Sequence, residues 1–209
     1  MRIEDYIIDP CNAASLPFWK EESISLPENI KVLRDDEFNR LQPSGSDDKY
    51  FKMVHDLKTV TESSLPVGFE LIQAEVKDFA NHINTCYELE HVTAEELMDY
   101  KKHPVYCDDL WIAVMDSASK QIVATGIAEL DSRIGEGILE WIQVSPEYRK
   151  RGLGKYIVCE LLRRLQGKAD FVTVSGRVDN KSNPFELYKA CGFCNPVIWH
   201  IVTMKKVEI

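Results

Sequence analysis

Apolar and polar residues settle into a regular series of elements only from Gly68 onward. Phe69 to Gln73 predicts a short strand. Glu75 to Leu89 predicts a helix, because Val76, Phe79, Ile83, Cys86 and Tyr87 recur at helical spacing. Thr93 and Glu96 form a capping-box pattern that opens a second helix, and Pro104 closes it. Three strands follow: Leu110 to Met115, Gln121 to Leu130, and Ile138 to Val144, the last after the Gly135-Glu136-Gly137 turn. Gly152 to Gln166 predicts an amphipathic helix with Leu153, Ile157, Leu161, Leu162 and Leu165 on one face. Phe171 to Ser175 predicts a strand, Asn183 to Ala190 a short helix stopped by Gly192, and Val197 to Met204 a last strand. The order β-α-α-β-β-β-α-β-α-β defines a mixed α/β fold (an α+β layout) with one main mixed sheet.

Residues 1–66 are patterned differently. Pro10, Pro17, Pro27, Pro43 and Pro66 interrupt them, and residues 43–48 read as a turn. Ile30 to Leu33 and Tyr50 to Val54 are strand-like, and Asp35 to Leu41 suits one or two helical turns. The aromatic side chains Phe18, Trp19, Phe38, Tyr50 and Phe51 require burial, so this segment is expected to pack on the main body.

A hydrophobic content of 44% supports a folded core rather than a disordered chain. The net charge of -9 disfavours nucleic acid as a partner, since an acidic surface repels a phosphate backbone. No apolar run approaches the roughly 20 residues of a membrane span, so no membrane partner is expected. Nor does an apolar leader open the sequence, and Cys11, Cys86, Cys107, Cys159, Cys191 and Cys194 read as reduced thiols of a cytoplasmic protein. Cys191 and Cys194 form a lone C-x-x-C without the second pair a zinc site needs, so no metal is expected.

Between the third strand and the amphipathic helix lies Val144-Ser145-Pro146-Glu147-Tyr148-Arg149-Lys150-Arg151-Gly152-Leu153-Gly154-Lys155. The first amides of a helix have no internal partner, and the helix dipole adds partial positive charge in front of them. Arg149, Lys150, Arg151 and Lys155 add full charges against Glu147 alone. Two glycines let backbone and ligand approach closely. The stretch suits a phosphate. The competing reading is a basic, solvated turn. It is neither a Walker loop nor a dinucleotide fingerprint.

Arg149-x-x-Gly152-x-Gly154 after Val144-Ser145-Pro146 resembles the coenzyme A signature of the GNAT N-acetyltransferases. Leu187-Tyr188-x-x-x-Gly192-Phe193 resembles their second signature, and the likeness covers about residues 68–204. The resemblance implies a GNAT domain over residues 67–209, preceded by an extension or small accessory subdomain over residues 1–66. It implies acetyl-CoA as co-substrate and direct transfer of the acetyl group to a primary amine. By resemblance, the backbone from Arg149 through Lys150, Arg151, Gly152 and Leu153 to Gly154, with Lys155, cradles the pyrophosphate. Ile142 and Val144 pair with the pantetheine arm, and Tyr188 protonates the departing thiolate. Glu140, which strict strand alternation places on one face with Ile138, Ile142 and Val144, is the candidate base. The family's cofactor-contacting asparagine would fall at Lys181, where Asn180 and Asn183 are the candidates to replace it; Asn183, just before the helix, is preferred, with N-capping as its competing role.

The acceptor is less legible. Residues 75–109 hold nine acidic and three basic side chains, a balance that favours a cationic amine on a small molecule or a protein. Trp111, Trp141, Trp199 and His200 are candidates for the acceptor pocket or for ordinary core packing. A non-catalytic acyl-CoA sensor or scaffold is the alternative function. Monomer and homodimer both stay open.

Overall fold

A computed structural model of the chain describes residues 1–87 and 91–204. The first elements are α1 (Ile3–Ile8), α2 (Pro10–Ala13), α3 (Phe18–Ser23), β1 (Ile30–Arg34), α4 (Asp35–Leu41) and β2 (Gly45–His55). Next come β3 (Phe69–Ile72), α5 (Val76–Cys86), α6 (Ala94–Tyr100), β4 (Trp111–Asp116), β5 (Ile122–Asp131) and β6 (Glu136–Val144). The series ends with α7 (Leu153–Leu165), β7 (Phe171–Arg177), α8 (Pro184–Ala190) and β8 (Cys194–Met204). From β3 onward the order is the one the hydrophobic pattern predicts. The predicted extension of the first regular helix to Glu88 and Leu89 lies outside the described residues, as do the acidic Glu88 and Glu90.

The described chain divides into two compact units. The first comprises Met1–His55, Thr173–Lys189 and residues from Phe193 onward. Its strands run in the order β1-β8-β2-β7, with β8 antiparallel to both β1 and β2. The helices α1 to α3 were invisible to periodicity because each is only four to six residues long. Tertiary burial of Tyr6, Cys11 and Phe18 holds them instead.

Lys52 organises this corner. Its side chain is buried, and the ammonium donates to the Tyr6 hydroxyl at 3.0 Å and to the carbonyls of Ala14 and Leu16 at 3.0 and 2.8 Å. It also lies 4.9 Å from the Tyr6 ring centroid. Lys52→Met would keep the stem but strip those carbonyls of their donor. The expected loss is about 2–4 kcal/mol of unfolding free energy. Urea denaturation of the full chain measures it, and an unchanged midpoint would contradict this account.

The second unit comprises Asp56–Val172 and Ala190–Gly192. Its strands run antiparallel in the order β6-β5-β4-β3. One face of this sheet carries α5 and α6. Phe79, Ala80 and Ile83 of α5 and Leu97 of α6 pack with Ala113 and Ile127, flanked by Trp111 and Trp141. On the other face, α7 buries Leu153, Ile157, Leu161, Leu162 and Leu165, the predicted stripe. Each such side chain contributes roughly 1.5–3 kcal/mol on burial. Gly126 lets α7 lie close to β5, since a Cβ there would meet Ile157 Cγ2 at 2.5 Å.

Candidate active site

The site is built where β6 ends and α7 begins. Ser145 closes the strand: its amide donates to the Val123 carbonyl at 2.9 Å, and its own carbonyl accepts from the Tyr148 amide at 2.9 Å. A 3-10 turn over Pro146–Tyr148 follows. The Tyr148 hydroxyl donates to Asp116 at 2.8 Å, and the Arg149 Nε donates back to the Val144 carbonyl at 3.1 Å. Arg151 donates to the Glu147 carbonyl at 3.1 Å and lies 4.8 Å from the Tyr148 ring centroid. The turn is thereby tied to its own strand and to the end of β4.

Beyond it the backbone enters left-handed conformations. Lys150 has φ of 59° and Gly152 has φ of 87°, the latter serving as the N-cap of α7. Glycine alone takes that conformation without strain. The first helical bond of α7 runs from the Tyr156 amide to the Gly152 carbonyl, so the amides of Leu153, Gly154 and Lys155 precede the ladder. Arg149, Lys150, Arg151 and Gly152 are exposed, while Gly154 and Lys155 are half-buried. Amides ahead of the ladder, the dipole of a thirteen-residue helix and a cationic rim converge on one end of α7. This donor set fits the phosphates of coenzyme A.

The strand itself departs from strict alternation. Ile127 pairs with Trp141 but Ala128 pairs with Leu139, so Glu140 is an extra residue in a β-bulge. Gly126, the partner of Ile142, faces Ile157 and Leu161 of α7, and Gly137 faces Leu165. Leu139, Ile142 and Val144 therefore share the α7 side, whereas Ile138, Trp141 and Gln143 take the α5 side. The expectation that Ile138, Glu140, Ile142 and Val144 share a face is corrected by that single inserted residue. Bulges re-aim side chains, and Glu140 is half-buried at this one.

On the α5 side of β6, His82 is buried within hydrogen-bond reach of Thr125 Oγ1 at 2.9 Å and Ser145 Oγ at 3.0 Å. Gln143 Nε2 donates to the same threonine hydroxyl. Burial pushes the imidazole down to about 4, with the Val123 carbonyl and the charge of Glu147 opposing. A cavity of about 730 Å³ opens beside this group, lined in part by Asp78, His82, Lys120, Ser145, Pro146 and Glu147. His82 and Ser145 were not singled out in the sequence. A histidine at a polar position inside an otherwise apolar helical stripe was the available signal.

The remaining candidates lie in the first unit or in packing. Tyr188 is buried on α8, with ring centroids 5.7 Å from Phe193 and 6.1 Å from Phe51. Asn183 is exposed with φ of 51° and immediately precedes α8. Trp111 packs edge-on against Phe79 at 5.2 Å, and Tyr87 does the same to Trp141 at 5.7 Å. Trp199 donates to the Cys11 carbonyl at 2.9 Å. His200 lies between Asp35 and Asp47, 3.0 Å from each, and stacks on Phe38. The six cysteines are free thiols.

Fold and loop together define an α/β domain with a phosphate-receptive strand–turn–helix, and the comparisons narrow that class. Residues 107–195, somewhat less than half of the chain, match the family profile described as an acetyltransferase (GNAT) domain. GNAT acetyltransferases use acetyl-CoA as co-substrate and act on amine acceptors. The fold is similar to a GCN5-related N-acetyltransferase from Sphaerobacter thermophilus, at TM-score 0.66 and 15% identity over 86% of this chain. It is also similar to a GNAT-family acetyltransferase from Colwellia psychrerythraea, at TM-score 0.60 and 12% identity over 88% of this chain. The alignments span 61% and 69% of those two proteins, so the likeness is one of fold. None of the curated proteins matches the chain in sequence. Among the described residues, no helix is long and apolar enough to cross a membrane.

Proposed function

We propose that this protein transfers the acetyl group of acetyl-CoA to a primary amine, on a small molecule or an exposed protein terminus or side chain, by direct attack of the amine. The observation that carries this reading is the end of β6 and start of α7, where three amides precede the helical ladder behind a rim of Arg149, Lys150 and Arg151. Acetyl-CoA supplies an electrophilic thioester carbonyl and a thiolate leaving group. The amides from Arg149 to Gly154, with Lys155, hold the phosphates. Backbone groups of Ile142 and Val144 align the pantetheine arm, and Asn183 contributes a polar contact to the cofactor.

An ammonium acceptor must lose a proton before its nitrogen attacks. The carboxylate of Glu140, displaced from the strand's alternation by the bulge, takes that proton directly or through water. Tyr188, by the resemblance of its motif, donates a proton to the departing sulfur. Much of the acceleration comes from holding amine and thioester in attack geometry.

A thiol-release assay across a panel of amines tests the reading. Tyr188→Phe and Glu140→Gln are each expected to lower kcat by about 10²–10⁴-fold, the usual contribution of a positioned acid or base. Coenzyme A affinity should change little. Tight cofactor binding without turnover of any amine would favour a non-catalytic sensor instead.

A further inference from the structure

We propose that His82 is a positioning residue for the phosphate loop, and that it acts by holding Ser145, the residue on which the loop turns. The inference rests on the coenzyme A reading of that loop. Nothing in the motif from Arg149 to Gly154 points to α5, yet α5 supplies the side chain that reaches its base.

Ser145 is fixed from three directions. Its amide and carbonyl are committed to Val123 and Tyr148, each at 2.9 Å. Its hydroxyl lies 3.0 Å from His82 Nε2. The other ring nitrogen, Nδ1, lies 2.9 Å from Thr125 Oγ1 on β5, and Gln143 of β6 donates to that same hydroxyl. One imidazole thus joins α5, β5 and the residue that follows β6. Thr125 is fully buried, and His82 and Ser145 are 4% and 7% exposed, so water competes little for these bonds. A neutral imidazole carries one donor and one acceptor, which suits two hydroxyl partners on opposite sides. The depressed pKa agrees with a ring that stays neutral under ordinary conditions.

The consequence reaches the ligand through backbone geometry. Ser145 begins the 3-10 turn, and the left-handed residues Lys150 and Gly152 follow within seven positions. A small rotation at Ser145 would redirect every amide downstream. His82 touches neither the reacting atoms nor the phosphate-holding amides, so its effect falls on cofactor affinity rather than on the chemical step.

The two ring nitrogens can be replaced one at a time. The amide of His82→Asn overlies Nδ1 and keeps the bond to Thr125. The amide of His82→Gln overlies Nε2 and keeps the bond to Ser145. Titration calorimetry of the full chain with coenzyme A should give near-native affinity for His82→Gln. Affinity should be about tenfold weaker for His82→Asn, the equivalent of one lost buried hydrogen bond. Ser145→Ala, which removes a single hydroxyl and leaves the fold intact, should weaken binding by a similar factor. Combined with His82→Asn it should add nothing further. In the thiol-release assay the loss should appear in KM for acetyl-CoA, with kcat near native. Equal affinities for the Asn and Gln variants, or native affinity for Ser145→Ala, would overturn the positioning role while leaving the coenzyme A reading intact. Failure of the unaltered protein to bind coenzyme A would remove both.

Discussion

Replacing Gly154 by glutamate is expected to abolish coenzyme A binding while the protein stays folded. Gly154 is the second residue of α7, and its amide precedes the first helical bond. A carboxylate in the first turn of a helix is favourable for the helix itself, because it complements the dipole. The same charge would stand where the phosphates must sit. Two like charges about 4 Å apart repel by roughly 4 kcal/mol near a protein surface. The added side chain also brings bulk to that place. Together these predict a loss of at least about 10³-fold in affinity. Calorimetry with coenzyme A measures it, and thermal unfolding serves as the control. Unchanged affinity would refute the assignment of this loop to phosphate binding, whatever the family likeness.

The second large effect is on stability at acidic pH. Burial lowers the His82 imidazole from 6.5 to about 4, so the unfolded chain binds a proton at a pH where the folded chain does not. Stability from this group is therefore complete above about pH 6.5 and declines as pH falls toward 4. Below that value the folded ring protonates as well, and the loss levels off. At about 1.4 kcal/mol per pH unit, the total is on the order of 3 kcal/mol. The groups around the ring are Thr125, Ser145, the Val123 carbonyl, Cys86 Sγ at 3.7 Å and the more distant charge of Glu147. The first three are uncharged throughout, and burial raises the Cys86 thiol, so it too is neutral in this range. Of the groups in contact with the ring, none but the histidine itself changes charge in this range. Urea denaturation at pH 7, 5 and 4 should show the decline in the unaltered protein and a shallower one in His82→Gln. Parallel curves for the two would contradict this account.

The regular half of the fold was legible because its physics is local. The α7 stripe of Leu153, Ile157, Leu161, Leu162 and Leu165 repeats at the period of a helix and is buried in the structure. The capping box of Thr93 and Glu96 forms as read, with the Glu96 amide donating to Thr93 Oγ1 at 3.1 Å. Gly152 and Gly154 offered a close approach of backbone to ligand ahead of a helix, and the basic residues beside them suited an anion. The N-terminal helices were not legible, since four to six residues carry too few turns to show a period.

By itself, then, the sequence determined which segments are helices and strands from Gly68 onward, and it offered one candidate phosphate site. These follow from periodicity, capping and charge within a dozen residues of one another. Tertiary structure alone decided that Glu140 leaves the alternation of β6. A bulge depends on the register of β5 as well as on the strand that carries it. It alone decided that Lys52 anchors a corner built from Tyr6, Ala14 and Leu16, across 36 to 46 residues of chain. And it alone brought His82 under Ser145, 63 residues apart, where burial makes a neutral ring the brace of the loop. Hydrogen bonds between distant residues leave no periodic trace, so only the packed molecule reveals them.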